Sequence, residues 1–502
     1  MTAPRLPRLA AALVLAGLGA ACGKDKAPAA VLCQLPSPQP SALPTLPVAA
    51  GPGKAQAIHF GLKTTDESVT FPVPPGTASV TIVLQAGSSA VPLTVRAGTY
   101  QAPNTPVPLS IDVAGNPNPI FYDVPMPPDT AFPVVVGLTV LDPLADPNLA
   151  VYFLSSGAWT GALTLPNTSV AIPGTAAGDG VPAGTWTVRV NDWAAECRAF
   201  PALGCTATTL TPSVYDVTVI LKPAAASSST LEVVFYLVTN GGLTAANAPG
   251  DSRIQRLEWA VAQILSGAGI TPAFQYRDVP SDVRLHYATG VDANSAGVCG
   301  GMGQLLQLAE PGNQLDVFLV DRIRDTATGG TITVGLDPIV PGPASFGGTP
   351  ASGVLVSMEN LSWVGPAPAC PPITPASTPS LATCGADITA AIVAHEAGHF
   401  LGLYHTTEGI GTIVDPIGDT GTCLCPLCKQ AGAPEQCQGL GQNDPQVASP
   451  YPMMVTDCLD PAGSAPECGG GDNLMFWLLD QDSKGLLTAG QAAVMRASPL
   501  VE

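Results

Sequence analysis

Three of the five histidines in this 502-residue chain lie within one short segment, at positions 395, 399 and 405. His395 and His399 are four residues apart, so on a helix both imidazoles lie on one face and can bind one metal ion. Glu396 follows His395 directly, where its carboxylate can hydrogen-bond a water molecule held at that ion. The spacing therefore predicts a zinc centre with Glu396 as general base.

A third ligand requires the helix to end. Six more helical residues would move His405 about 9 Å along the axis from His399, too far to share one ion. Gly402 lies between them, and glycine readily adopts the left-handed conformation in which many helices end. We expect Gly402 to turn the chain back, so that His405 completes a three-histidine site with its fourth position left for water.

Two other interpretations of these residues are open. The histidines could be surface residues on a core helix, or they could hold a purely structural zinc ion. Structural zinc sites usually have four protein ligands, however, and would have no use for Glu396. We favour the catalytic interpretation because three of only five histidines fall in the motif.

The segment His-Glu-Ala-Gly-His-Phe-Leu-Gly-Leu-Tyr-His, residues 395–405, resembles the zinc motif of the metzincin metallopeptidases. Its surroundings are most similar to the pappalysin group. The features that carry this resemblance are Gly402-Leu-Tyr-His405, a Cys-rich insertion that contains Ile417-Gly-Asp-Thr420, and Asn473-Leu-Met475 before Leu487-Thr-x-x-Gln491. The resemblance implies an α/β catalytic domain, a Zn²⁺ cofactor, and hydrolysis of peptide bonds in protein or peptide substrates.

The resemblance also implies a turn beneath the metal that contains a methionine. Met475 is our candidate, and Met453 and Met454 are the alternatives. Some metzincins place a tyrosine two residues after that methionine, where it stabilises the tetrahedral intermediate. This chain has Trp477 there, so the group that stabilises the oxyanion is not identified.

Two aspartates and a cysteine-rich segment lie between the histidines and Met475. Asp415 and Asp419 are candidates for a structural Ca²⁺ site, as the resemblance implies, and a solvated acidic turn is the alternative. The segment Cys423-Leu-Cys-Pro-Leu-Cys428 is followed by Cys437, Cys458 and Cys468. These thiols could bind a structural zinc ion, but in an exported chain we expect disulfides that stabilise a long loop.

The first residues predict export. Arg5 and Arg8 precede an apolar run over 9–21, which suits a signal peptide and is too short to span a bilayer stably. Gly19-Ala-Ala before Cys22 resembles a bacterial lipobox, which implies a lipidated Cys22; a cleaved signal peptide with an incidental cysteine is the alternative. Setting Cys22 aside leaves twelve of the 13 cysteines, an even number that indicates disulfides. We expect a lipid-anchored protein of the bacterial cell envelope, or a secreted one.

Composition excludes one class of partner. The chain has 19 basic and 38 acidic residues, a formal charge of −19. We find no basic stripe that could follow a phosphate backbone, so nucleic acid is not an expected partner. Membrane contact is expected only through the lipid anchor.

Composition and periodicity divide the chain into five segments. Short alternating strands separated by turns predict an antiparallel β-sandwich, and later strands mixed with helices at 252–266 and 388–401 predict an α/β domain. The segment Val181-Pro-Ala-Gly-Thr-Trp-Thr-Val-Arg-Val-Asn-Asp192 resembles the last strands of jelly-roll domains, which implies a jelly-roll-like sandwich, and the zinc motif implies that the α/β domain is of the metzincin type. The expected segments are a signal peptide at 1–21, a Pro/Ala-rich tether with the lipidated cysteine at 22–55, the β-sandwich at 56–223, a linker at 224–230 and the peptidase domain at 231–502.

Together these features predict a zinc-dependent endopeptidase that acts on extracellular or periplasmic proteins. The alternative is a surface binding or adhesion lipoprotein whose zinc domain is not catalytic. A third hypothesis is a zinc amidase that acts on cell-wall crosslinks.

Overall fold

The structure of the chain is a computed structural model. It describes residues 54–64, 67–86, 93–96, 100–101, 152–155, 160–165, 184–192 and 214–223, and then 229–502 apart from 240, 289, 293–300, 325–333, 339, 362–369, 408, 410–414, 416, 422, 424–452, 460–467 and 481–482. The predicted signal peptide, Cys22 and most of the tether lie outside the described residues.

The first part of the chain forms two antiparallel sheets. Their strands are β1 Gln56–Thr64, β2 Ser68–Val73, β3 Thr77–Ala86, β4 Leu93–Arg96, β5 Tyr100–Gln101, β6 Tyr152–Ser155, β7 Thr160–Leu165, β8 Gly184–Asp192 and β9 Val214–Pro223. One sheet has the order β1-β9-β3-β7, and the other has the order β2-β8-β4-β6 with β5 paired to β8. The ring centroids of Phe60 in β1 and Phe71 in β2 are 6.2 Å apart, so the sheets contact each other. The prediction of antiparallel β structure is confirmed, and a jelly-roll connectivity stays a prediction.

The second part is built on a five-stranded sheet of order β11-β10-β13-β16-β15. Its strands are β10 Ser229–Val238, β11 Ile270–Asp278, β13 Leu315–Val320, β15 Gly335–Leu336 and β16 Val354–Ser357, and β12 Val291–Asp292 pairs separately with β14 Ile323–Arg324. The first four strands of the order are parallel, whereas β15 runs antiparallel to β16. Parallel strands are covered on both faces, which explains why every residue of β13 is buried.

Five α-helices accompany this sheet in the described part of the chain. They are α1 Ser252–Ser266, α2 Ser281–His286, α3 Gly301–Leu306, α4 Gly385–Phe400 and α5 Ala489–Ala497. The prediction for α1 is confirmed residue for residue, whereas α4 begins three residues before the predicted start and ends one residue earlier than predicted. The buried residues of α1 and α4 belong to one core with β10 and β13. The mixed α/β prediction is confirmed, and the strand β10 begins inside the predicted linker.

A buried ion pair joins α1 to the first turn of α4. Arg256 Nε and Nη2 donate to the two carboxylate oxygens of Asp387, each at 2.6 Å, and both side chains are almost completely buried. Arg256 also donates to the carbonyl of Pro371, and Ser380 N donates to Asp387. A negative charge is favoured near a helix N-terminus. The pair therefore fixes where α4 begins relative to α1.

Disulfides close two segments near α4. Cys370 is bonded to Cys384, which directly precedes α4, and Cys423 is bonded to Cys458. Cys468 is also disulfide-bonded. The prediction of disulfides is confirmed for these cysteines, and such bonds are typical of oxidising, extracytoplasmic compartments. Among the described residues no helix is both long enough and apolar enough to span a bilayer.

The two parts of the chain contact each other at the C-terminal segment. Lys222 in β9 donates to the carbonyls of Arg496 and Ser498, and Ser79 in β3 donates to the carbonyl of Ala497. Phe346 packs among apolar residues of the first sheet. The antiparallel sheet β1-β9-β3-β7 is therefore packed against the last turn of α5.

Candidate metal centre

The helix α4 presents the first two histidines in a fixed orientation. His395 Nδ1 lies 2.6 Å from the carbonyl oxygen of Leu474, and His399 Nδ1 lies 2.7 Å from that of Leu403. A carbonyl oxygen can only accept, so each Nδ1 carries the proton and each Nε2 presents a lone pair. These backbone contacts select the tautomer that a metal requires.

The chain turns after α4 as the sequence predicts. Gly402 has a φ of +108°, its N–H donates to the carbonyl of His399 at 2.9 Å, and Leu403 N donates to the carbonyl of Gly398 at 2.8 Å. This is the pair of hydrogen bonds of a Schellman motif, in which glycine takes the position of positive φ. The turn ends the helix and brings His405 back beside His399.

The three imidazoles converge. Nε2 of His405 lies 3.2 Å from Nε2 of His395 and 3.1 Å from Nε2 of His399, and the three ligand atoms lie within 4.8 Å of one another. Nitrogen ligands about 2.0–2.1 Å from a tetrahedral zinc ion are separated by about 3.3–3.4 Å. The two short distances are close to that value, so the cluster could hold a metal ion.

The electrostatic environment favours the uncharged forms of His395 and His399. Burial, followed by the proximity of His405, lowers the pKa of His395 to about 3. The same two causes, joined by His395, lower the pKa of His399 well below its usual value. Metal ions bind neutral imidazole, so little protonation competes with binding near neutral pH.

Glu396 is buried beside the histidines and is held by the edge strand β15. The backbone N–H of Asp337 donates to its carboxylate, and burial raises the pKa of Glu396 to about 8 despite this hydrogen bond. At Gly335 in β15, a Cβ atom would overlap Glu396 Oε1. Glycine is therefore required for this close approach. No sequence motif marks Gly335 or Asp337, and both lie about sixty residues before Glu396 in the chain.

Met475 lies under the ligand helix. It is fully buried, and its Sδ lies 2.5 Å from where a Cβ on Gly398 would stand. Of the alternative methionines, Met453 is buried in a different cluster with Cys423 and Cys458, and Met454 is exposed. The structure brings Met475, and neither alternative, against the helix that carries His395 and His399.

Trp477 does not present its polar atom to the histidines. Its indole Nε1 donates to the carbonyl of Met453 at 2.7 Å, and its ring packs against Gly409. An indole has a single N–H. Trp477 therefore cannot donate to a group bound at the histidines without losing this hydrogen bond.

The two candidate calcium ligands have different surroundings. Asp419 accepts from Thr488 Oγ1 and Gly490 N, both at 2.8 Å, and so caps the N-terminus of α5. Asp415 is buried, and its Oδ1 accepts from Ile417 N and Thr420 Oγ1. Its Oδ2 is buried without a hydrogen-bond partner among the described residues. Burial raises the pKa of Asp415 to about 7.

Comparisons with known proteins add little to this geometry. No protein family matches the chain, and no curated protein is significantly similar to it. A solved structure described as a chaperone-substrate complex aligns at a TM-score of 0.22 and 13% identity, over 55% of this chain and 35% of the other. A likeness this weak carries no argument about fold or function.

Proposed function

We propose that this protein is a zinc-dependent endopeptidase of the metzincin type, similar to the pappalysins. The observation that carries the proposal is the convergence of three imidazole Nε2 atoms beside the buried carboxyl of Glu396. His395, His399 and His405 would hold the zinc ion. When bound, zinc supplies a water of pKa about 7 and polarises the carbonyl of the substrate.

Glu396 is the general base of the proposed reaction. The charge of a bound zinc ion would favour the ionised form of Glu396. Its carboxylate would then accept the proton of the attacking water and donate that proton to the leaving amine. Gly335 and the N–H of Asp337 hold the carboxylate in place for both transfers. Met475 supports the helix from below, through its contact with Gly398.

The strand beside Glu396 favours an extended peptide as substrate. In the described part of the chain β15 pairs only with β16, so its other side is an edge. An extended peptide can add to such an edge through main-chain hydrogen bonds. A peptide bound there would pass Gly335, and therefore Glu396. This arrangement favours proteins or unfolded segments over cell-wall crosslinks.

The proposed location is the cell envelope or the exterior of a bacterium. Disulfides at Cys370, Cys384, Cys423 and Cys458 support export. Lipidation of Cys22 remains part of the proposal, based on the lipobox resemblance alone.

A single substitution tests the function. Purified wild-type protein should cleave an unstructured protein such as casein, and a chelator should abolish the cleavage.

Glu396→Gln should lower kcat/KM by about 10²- to 10⁴-fold while zinc content stays at one ion per chain. Glu232→Gln, the same change at an exposed strand position, is the matched control. Wild-type turnover by Glu396→Gln would reject the role of Glu396. Zinc-loaded wild type that cleaves nothing in a broad peptide library would favour the adhesion lipoprotein instead.

We also propose a structural Ca²⁺ ion at Asp415. Its buried Oδ2 without a partner supports this position, whereas Asp419 is engaged in capping α5. Calcium should raise the Tm of the wild type, and Asp415→Asn should remove that increase. An equal increase in both proteins would contradict the assignment.

A further inference from the structure

Two buried amide side chains form a reciprocal pair near the metal centre. Asn473 Nδ2 donates to Gln491 Oε1 at 2.8 Å, and Gln491 Nε2 donates to Asn473 Oδ1 at 3.0 Å. Gln491 is completely buried and Asn473 almost so. Buried amide groups that lose a partner are costly, so this pair resists displacement.

Each amide also binds the backbone of its own element. Asn473 Oδ1 accepts from the N–H of Met475 at 2.8 Å, and Gln491 Oε1 accepts from the N–H of Thr488 at 3.0 Å. Thr488 in turn accepts from Gln491 N, which completes a capping box at the start of α5. The pair therefore ties the turn 473–475 to the first turn of α5.

Leu474, which lies between Asn473 and Met475, contacts His395. The carbonyl of Leu474 accepts from His395 Nδ1. The N–H of Met475 donates to the side-chain oxygen of Asn473. A displacement of the pair would move this carbonyl. His395 would then lose the hydrogen bond that selects its tautomer and orients its ring.

We propose that Asn473 and Gln491 are positioning residues of the metal centre, which hold the Leu474 carbonyl against His395 and thereby set metal affinity. The proposal rests on the proposed function, because it requires that the three histidines bind a metal. Hydrogen bonds of this kind behind a ligand change metal affinity by about 10- to 100-fold when they are removed. A pair that only stabilised the fold would leave the affinity of the folded protein unchanged.

The test measures metal binding rather than turnover. Full-length Gln491→Met keeps an unbranched side chain of similar length but loses all three amide hydrogen bonds, the two with Asn473 and the one from Thr488 N. We expect it to bind zinc about 10- to 100-fold more weakly in competition with a chromophoric chelator, and to show an altered visible spectrum when loaded with Co²⁺. The control is Thr349→Val, which removes another buried hydrogen bond, between Thr349 and Ser352. It should lower Tm and leave both metal measurements unchanged.

A second variant decides the matter if Gln491→Met does not fold. Asn473→Asp keeps an acceptor for Met475 N, and its ionised carboxylate places an oxygen against Gln491 Oε1, which disturbs the pair and adds a buried charge. Weaker zinc binding and a changed Co²⁺ spectrum in this variant would support the proposal. Wild-type affinity and spectrum in the folded variants would overturn it and leave the endopeptidase proposal standing. Wild-type protein that binds no metal would overturn both.

Discussion

The two ends of α4 both bury polar side chains, but they do so with different partners. At the beginning, the charge of Asp387 is matched by Arg256, and each carboxylate oxygen accepts a hydrogen bond from the guanidinium. At the end, the rings of His395 and His399 contact each other, His405 and backbone carbonyls, and Glu396 accepts from the backbone N–H of Asp337. Burial there lowers the pKa of His395 and of His399, which keeps both neutral, and raises the pKa of Glu396.

We infer from this difference that the beginning of α4 contributes to stability, whereas its end contributes to metal binding and turnover. At the beginning of α4 the charge of Asp387 is neutralised by Arg256, because a buried charge is tolerated only when it is paired and hydrogen-bonded. The other end could hold a metal ion, because His395 and His399 are neutral there and cations bind neutral imidazole. Variants at the first end should therefore change unfolding, and variants at the other end should change metal binding or turnover.

The largest effect is expected at the beginning of α4. Arg256→Met leaves the carboxylate of Asp387 buried without its partner, which should lower the free energy of unfolding by about 3–5 kcal/mol. Urea unfolding measures this change. Arg253→Met is the control, since the Arg253–Asp251 pair is partly exposed and should contribute less than about 1 kcal/mol. Equal losses of unfolding free energy in Arg256→Met and Arg253→Met would contradict the special role of the buried pair. A large change in the zinc affinity of folded Arg256→Met would show that the beginning of α4 also affects metal binding.

The next effect is expected at Glu396, without a change in zinc binding. In Gly335→Ala the new methyl group overlaps Glu396 Oε1 and displaces the carboxylate. A displacement of about 1 Å can lower turnover by about 100-fold, so kcat/KM should fall by that order. Gly418→Ala is the control, because a Cβ there has no atom within 4 Å. Unchanged turnover in Gly335→Ala would mean that β15 does not position Glu396.

A smaller effect is expected at the turn that follows α4. Gly402→Ala places a side chain at a φ of +108°, where residues other than glycine are strained. The free energy of unfolding should fall by about 1–3 kcal/mol. Because the turn also places His405, zinc affinity should fall in the same variant, as chelator competition would measure. A loss of stability at full zinc affinity would show that His405 is placed independently of Gly402.

The smallest effect on stability is expected outside α4, at Lys222. This buried side chain donates to backbone carbonyls and not to a carboxylate. Burial lowers the pKa of Lys222 to about 7, with Glu502 raising it and Arg496 lowering it. The unfolded chain, with a lysine pKa of about 10.4, then binds more protons above pH 7, so stability rises with pH between about 7 and 10. The gain should be about 1 kcal/mol from pH 7 to pH 8.

Comparison with Lys222→Met isolates this contribution. Urea unfolding of the variant should lack this part of the pH dependence. A wild-type stability that does not rise with pH over the same range, relative to Lys222→Met, would show that Lys222 stays charged in the folded protein.

Local patterns in the sequence predict much of the candidate metal centre. The helix period predicted α1, and the four-residue spacing placed His395 and His399 on one face of α4. Gly402 was predicted to end that helix and does so at positive φ. These features depend on backbone geometry within a few residues, which periodicity and residue type report directly.

Tertiary structure decided which distant groups act on those residues. The contact of Gly335 with Glu396, the carbonyl of Leu474 on His395 and the pairing of Arg256 with Asp387 each join segments far apart in the chain. Local spacing carries no information about such contacts. They follow from the order of strands in the sheet and from the packing of α4 and α5, because only these bring the segments within hydrogen-bonding distance.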